Sequence, residues 1–288
     1  MTGLFRPKEC FRPETVNEAV RLLAKYDNAW VIAGGTDVLI DKSPEIEYLV
    51  DATRLPLSYI KGGEGLRIGA LTTMRELEKS PLLQNGPYRV LGEAAHKFGS
   101  LAIRNVATVG GNICNALCCA DTPPALVALD ATVKIVSDQG ERTLPLEKIF
   151  ERNRQTCLLD KELVTEIQVP AMPPRTGTSF MKFARTSVDL ALVNSAVRVT
   201  LDGDVMKDVR VVVGGGIGLK LIRSTKAEET LENQKVSESL FEKAAEIVSG
   251  ELKPRATSIR GSAYYKREIC KVLVKDSLMK AVERAREG

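Results

Sequence analysis

The sequence predicts an α+β protein of two domains, and three observations carry that prediction. Short alternating β-prone stretches and short amphipathic helices are interleaved through residue 169. The segment Pro170-Ala-Met-Pro-Pro-Arg-Thr-Gly177 suits neither a helix nor a strand interior and reads as a linker. Beyond it, strand patterns come first and helical patterns after, the order of a domain whose helices pack on one side of a small antiparallel sheet. A chain of 288 residues has room for two or three domains and a substantial core. The domain boundary is placed in that linker.

Taken in order, Thr15-Val-Asn-Glu18 reads as a capping box, the Thr15 hydroxyl and the Glu18 carboxylate serving reciprocal backbone donors. Val16, Ala19, Leu22, Leu23 and Tyr26 then form one apolar face. Ala29 to Ala33 predicts a short buried strand running straight into Gly34-Gly35. Further strands are expected at Tyr48 to Ala52 and, after the Gly62-Gly-Glu-Gly65 turn, at Leu66 to Gly69. Helices are expected at Thr73 to Lys79 and Tyr88 to Phe98, the latter stopped by Gly99. A second glycine pair, Gly110-Gly111, follows a β-prone stretch, and strands are predicted at Ala131 to Ser137 and Leu163 to Val169. Past the linker come strands at Ser179 to Ala184, Ala191 to Leu201 and Val209 to Val213, then helices over 226–233, 237–249 and 261–286.

Composition excludes several function classes. At 44% hydrophobic and 27% charged the chain is globular rather than disordered. The 41 basic and 37 acidic residues are mixed along its length, so no basic stripe for nucleic acid is expected. No apolar run reaches the roughly 18–20 residues of a membrane helix, and the N-terminus lacks the apolar centre of a signal peptide. A cytoplasmic protein with no membrane insertion is expected. Cys10, Cys114, Cys118, Cys119, Cys157 and Cys270 lack the spacing of a disulfide framework. Nor does the Cys114, Cys118, Cys119 cluster match zinc or ferredoxin spacing, so no metal site is expected. The single histidine, His96, rules out most catalytic constellations and reads as a half-exposed helix residue.

The two glycine pairs carry the chemistry. A strand that ends in Gly-Gly-Thr turns sharply with its amides outward, because glycine reaches positive φ and has no Cβ to hold a ligand away. Several such amides in sequence make a concave anion site, to which the Thr36 hydroxyl adds a donor. Thr108-Val-Gly-Gly-Asn112 allows the same argument, with Asn112 and Asn115 as further hydrogen-bonding groups. Two such loops point to a ligand with two phosphates held between them; the alternative is a pair of ordinary tight turns. Neither loop has the G-x-G-x-x-G spacing of a nicotinamide site, nor does Gly214 to Gly218, which reads as a strand end.

The residues Ala33-Gly-Gly-Thr-Asp37, Ile68-Gly-Ala-Leu-Thr-Thr73 and Ile103-Arg-Asn-Val-Ala-Thr-Val-Gly-Gly-Asn-Ile113, followed by Asp121, resemble the signatures of the flavin-binding subunit of molybdenum hydroxylases, the xanthine dehydrogenase and carbon monoxide dehydrogenase family. The likeness continues through Lys182-Phe-Ala-Arg185 and covers nearly the whole chain. It implies a two-lobed FAD-binding domain of the PCMH type over 1–172, with lobes about 1–55 and 56–172. A carbon monoxide dehydrogenase-type C-terminal flavoprotein domain, small and α+β, would follow over 178–288. Carried over by residue, Val31, Ile32, Ala33, Gly34, Gly35, Thr36 and Asp37 would hold the pyrophosphate from one side. Thr108, Gly110, Gly111, Asn112 and Asn115 would close it from the other. Asp121 matches an acidic residue at the flavin site, Leu158 and Val164 match apolar pocket positions, and Lys182 matches a lysine near the flavin. Phe98 and Ile103 align with positions near its ring system. By their local pattern alone, Asp121 would cap a helix through Ala125 to Leu129, Lys182 would be a surface lysine and Phe98 a core aromatic.

The resemblance also implies non-covalent FAD, and partners: a large molybdopterin subunit, a small subunit with 2Fe-2S clusters, and NAD or another electron acceptor, assembled as a dimer of heterotrimers. No residue of this chain is placed as a catalytic group; the cofactor would carry the reaction. Relatives that reduce hydroxybenzoyl thioesters carry a cysteine-rich insert that is missing between the second motif and Asp121. Two other classes stay open: a stand-alone flavin oxidase of the PCMH type, for which the C-terminal region looks too small and polar to enclose a substrate, and an assembly scaffold without a redox role.

Overall fold

The computed structural model describes residues 6–41, 43, 45–255 and 260–288; residues 1–5, part of the N-terminus read above for a signal peptide, lie outside them. A three-stranded parallel sheet opens the chain, from β1 (Glu9–Phe11), β2 (Ala29–Ile32) and β3 (Tyr48–Asp51) in the order β1-β3-β2. Between β1 and β2 runs α1 (Val16–Lys25), which buries Ala19, Val20 and Leu23 against Val50, Ala52 and Leu55. The capping box predicted there is half made. Thr15 accepts from the Glu18 amide at 3.2 Å, but the Glu18 carboxylate accepts from the Glu14 amide at 3.0 Å rather than from Thr15. The strand before the glycines is less buried than predicted: β2 sits at the sheet edge and leaves Trp30 48% exposed. A short helix, α2 (Val38–Asp41), follows the glycines.

Five antiparallel strands make the second sheet: β4 (Ile60–Gly63), β5 (Gly65–Gly69), β6 (Thr132–Ser137), β7 (Gly140–Pro145) and, across a small hairpin of β8 (Phe150–Arg152) and β9 (Gln155–Thr156), β10 (Leu163–Pro170). Their order is β4-β5-β10-β6-β7. Between β5 and β6 the chain leaves the sheet for five helices, α3 (Met74–Lys79), α4 (Arg89–His96), α5 (Leu101–Arg104), α6 (Val109–Cys114) and α7 (Thr122–Ala128). A complete capping box starts α3: Thr73 accepts from the Glu76 amide at 3.2 Å, and Glu76 accepts from the Thr73 amide at 2.7 Å.

The last region has strands first and helices after, as predicted: β11 (Thr176–Phe183), β12 (Val193–Asp202), β13 (Val205–Gly215) and β14 (Ile222–Arg223) pair antiparallel in that order, followed by α8 (Thr225–Leu231), α9 (Glu238–Glu251) and α10 (Ala263–Glu287). Pro170 ends β10 and Gly177 lies within β11, so only 171–175 is loop; a Cβ on Gly177 would stand 2.0 Å from the Ala281 carbonyl oxygen of α10.

Both faces of this sheet are covered, which explains why every residue from Val193 to Leu201 is buried. Odd positions Val193, Val197 and Val199 join Val274 and Leu278 of α10 in one core. Even positions face α7 of the first region: Ala196 packs there, Asn194 Nδ2 donates to Asp121 Oδ1 at 3.1 Å, and Arg198 Nη2 donates to Asp130 Oδ2 at 2.7 Å. Asn194 and Arg198, polar residues inside an apolar strand, are thus contacts to the neighbouring domain. Across the same seam Glu93 of α4 pairs with Arg284 of α10 at 2.6 Å.

Candidate cofactor-binding site

The first glycine pair leaves the end of β2. A Cβ on Gly34 would stand 1.9 Å from the Val106 carbonyl oxygen, so only glycine lets this loop touch the segment that leads into the second glycine motif. Gly35 has φ +68°, in the region that side chains avoid. The amides of Gly35, Thr36 and Asp37 then donate to no partner among the described residues, and neither the Thr36 hydroxyl nor the Asp37 carboxylate is engaged. Three consecutive open amides are what an oxyanion needs.

The second pair differs from its predicted form. Gly110 and Gly111 do not end a strand; they lie in the first turn of α6, whose N-cap is Thr108. All four leading amides are already bonded, Val109 to Thr72 O at 2.9 Å, Gly110 to Ala70 O at 2.9 Å, Gly111 to Thr108 Oγ1 at 3.1 Å and Asn112 to Thr108 O at 3.0 Å. A Cβ on Gly110 would meet the Ala70 carbonyl oxygen at 2.7 Å, so this glycine serves close packing of α6 on the end of β5. The polar groups left for a ligand are side chains. Asn112 Oδ1 accepts from the buried Thr122 hydroxyl at 2.7 Å, which fixes the orientation of the amide and leaves its NH2 as donor. The Asn115 side chain has no partner among the described residues.

Between the loops lies a cleft of about 510 Å³. Of the predicted positions, Val31, Ala33, Gly34, Gly35, Thr36, Asp37, Phe98, Thr108, Gly110, Gly111, Asn112, Asn115, Leu158 and Val164 line it. Ile32, Ile103, Asp121 and Lys182 do not. Ile32 and Ile103 pack beside Gly35 and Gly99, under the turns they flank. Trp30, Leu57, Leu71, Asp41 and Arg154 also line the cleft and were not anticipated. Arg154 projects from the β8–β9 hairpin and pairs with Asp41 of α2; an arginine in a surface turn carries no sequence signal. Trp30 carries one, because a large aromatic beside an edge-strand glycine turn has no core to enter.

Asp121 and Lys182 form a buried ion pair of 2.7 Å, both side chains nearly inaccessible to water. Asp121 stands at the N-cap of α7 but makes no capping bond, and Lys182 is no surface residue. Burial pushes the Asp121 carboxyl up to about 6, against the pull of Lys182 and the Asn194 amide. Lys182 Nζ also donates to the carbonyl of Lys97 at 3.0 Å, next to Phe98 at the cleft wall. Arg104 fixes the same turn: its Nη1 donates to the carbonyls of His96, Phe98 and Gly99 at 3.2, 3.2 and 3.0 Å, and its Nε to Glu78 at 3.0 Å.

Glu78 also accepts from Arg75 at 2.9 Å and meets His96 Nδ1 at 2.9 Å, which places His96 on this network outside the cleft. Burial opposes ionisation of Glu78, but His96, Arg75 and Arg104 outweigh it and hold the carboxyl down at about 2. A depressed carboxyl contributes stability that is present above its usual value of 4.5 and is lost as pH falls through about 2. The Glu78→Gln variant should therefore be less stable than wild type at neutral pH, with the difference closing between those two values in denaturant titrations.

Comparison with known proteins shows the family. Residues 5–172 match the family profile described as the FAD binding domain in molybdopterin dehydrogenase, and residues 178–281 match the CO dehydrogenase flavoprotein C-terminal domain. The 6-hydroxypseudooxynicotine dehydrogenase complex subunit alpha of Paenarthrobacter nicotinovorans is 36% identical, covering 95% of this chain and 94% of its own. The nicotinate dehydrogenase FAD-subunit of Eubacterium barkeri is 31% identical over 90% and 91% of the two chains. Among solved structures, carbon monoxide dehydrogenase from Hydrogenophaga pseudoflava superposes with a TM-score of 0.92 at 29% identity, covering 97% of this chain and 98% of the other.

Proposed function

The chain belongs to the FAD-binding subunits of the molybdenum hydroxylases, the xanthine and carbon monoxide dehydrogenase family, and from that premise we propose that the cleft between its glycine loops holds FAD non-covalently and that the chain passes electrons between subunits. It is an oxidoreductase subunit with an FAD-binding domain, and its relatives are named as medium chains or FAD subunits of dehydrogenase complexes. Bound FAD supplies the redox chemistry. The open amides of Gly35, Thr36 and Asp37, facing Asn112 and Asn115 across the cleft, are the observation that supports the pyrophosphate position. Leu158, Val164 and Phe98 give apolar walls, and the Asp121–Lys182 pair holds the turn behind Phe98.

In this reading a small subunit with 2Fe-2S clusters delivers electrons, a large molybdopterin subunit oxidises the organic substrate, and NAD or another acceptor takes the electrons away. The complex is a cytoplasmic dimer of heterotrimers. No helix of the described residues is long and apolar enough to cross a membrane. The test begins with Asn112. Asn112→Asp replaces a fixed donor by a negative charge facing the phosphates and should weaken FAD binding at least ~10-fold, about 1.4 kcal/mol. Thr122→Val frees the Asn112 amide to rotate and should cost less. Fluorescence titration of the apoprotein with FAD measures both, and an Asn112→Asp protein that binds FAD as wild type does would move the pyrophosphate away from α6.

A further inference from the structure

We propose that Cys118 is a peroxide-reactive thiol, housed in a second cavity at the seam of the two domains and oxidised there to a sulfenic acid. The cavity measures about 210 Å³ and is lined by Cys118, Cys119 and Asn153 from the first domain and by Leu192, Arg260 and Lys266 from the second, among others. Its lining shares no residue with that of the cleft described above. The backbone of Cys118 is clamped from both domains: its amide donates to Asn153 Oδ1 at 2.9 Å, and its carbonyl accepts from the Gly215 amide at 2.8 Å. The Cα therefore cannot swing the thiol out of the cavity.

The groups around the sulfur favour the thiolate. Cys119 donates its S–H to Cys118, and the nearby cations are Arg255 and Lys266, with Arg260 on the Cys119 side; Asp121 is the carboxylate that acts on Cys119. Lys266 is 2% exposed and is held by the Gly216 carbonyl at 2.9 Å, so its charge is fixed in place. The Cys119 hydrogen bond, helped by Arg255 and Lys266 against the opposing effect of burial, brings the Cys118 thiol down to about 7, whereas burial pushes Cys270 up to about 12. The Cys118 thiol is thus drawn toward ionisation inside a cavity with room for a small hydroperoxide.

The reaction is a two-electron transfer. The Cys118 thiolate attacks one peroxide oxygen, an S–O bond forms and the O–O bond breaks. The leaving alkoxide or hydroxide takes a proton from solvent, so that sulfur is oxidised and the peroxide reduced to an alcohol or water. Cys119 is a poor resolving partner. Adjacent Cα atoms lie about 3.8 Å apart, inside the roughly 4.4–6.8 Å of an unstrained disulfide, and its own thiol is held protonated by burial and by the bond to Cys118. The sulfenic acid is the expected product.

The experiment treats the full FAD-loaded chain with one equivalent of hydrogen peroxide in the presence of dimedone and maps the adducts by peptide mass. The iodoacetamide rate at each cysteine is followed against pH. The expected result is a dimedone adduct first on Cys118, an alkylation midpoint near pH 7 at that residue, and a roughly tenfold slower reaction at pH 7 in Cys119→Ala. An adduct first on Cys10, Cys114 or Cys157, or a Cys118 profile with the midpoint of an ordinary thiol, would overturn the proposal. The wild-type profile decides even where the variant folds poorly.

Discussion

Gly34→Val is expected to abolish FAD retention through size exclusion, with the affinity falling at least ~100-fold, about 2.7 kcal/mol. The smallest side chain would already place a carbon 1.9 Å from the Val106 carbonyl oxygen, a backbone atom that cannot move aside without displacing the entry to α6. The two loops must then separate, and the diphosphate loses one side of its site. A glycine of the same domain supplies the control. Gly63 has open space where its Cβ would be, so Gly63→Ala should retain FAD as wild type does. Circular dichroism separates lost binding from lost fold. A folded, flavin-replete Gly34→Val protein would show that the loop contact is not needed for the site.

Lys182→Met should be the most damaging single change to stability near the site. It leaves Asp121 buried without its cation, and breaking one side of such a pair costs about 3–5 kcal/mol. Asp121→Asn in the same background removes the orphaned charge, so the double variant should recover much of the loss in urea denaturation. The pH dependence gives the sign. A carboxyl pushed up to about 6 in the folded protein favours folding while protonated, and that contribution is lost as pH rises from its usual range through about 6. Without Lys182 the carboxyl rises further, so the Lys182→Met deficit should be largest at neutral pH and should shrink as the pH is lowered below 6. An equal deficit at both ends would place the effect in packing.

Many strands and helices were legible because their signals are local: alternation at Thr132–Ser137, the apolar face of α1, and strands before helices in the last domain. Glu18 took the Glu14 amide in place of the Thr15 amide, a local exchange that leaves the start of α1 where the pattern put it. What the pattern missed depends on neighbours far along the chain. Gly110-Gly111 resembles Gly34-Gly35 as a string of letters, yet the Gly110 amide is consumed by the Ala70 carbonyl, forty positions earlier in sequence, and the Gly111 amide by the Thr108 hydroxyl. Lys182 looked like a surface strand residue because the partner that buries it, Asp121, belongs to the other domain. The glycine cleft itself was readable because both of its loops carry their own motif. Arg154 and Asp41, which also border it, have no local mark.

Amide hydrogen exchange with and without stoichiometric FAD tests the central claim most directly. Gly35, Thr36 and Asp37, open in the protein alone, should become protected when FAD binds, while Gly110, Gly111 and Asn112, already bonded within the chain, should change little. A chain that retains FAD with residues 35–37 still exchanging freely would place the diphosphate elsewhere.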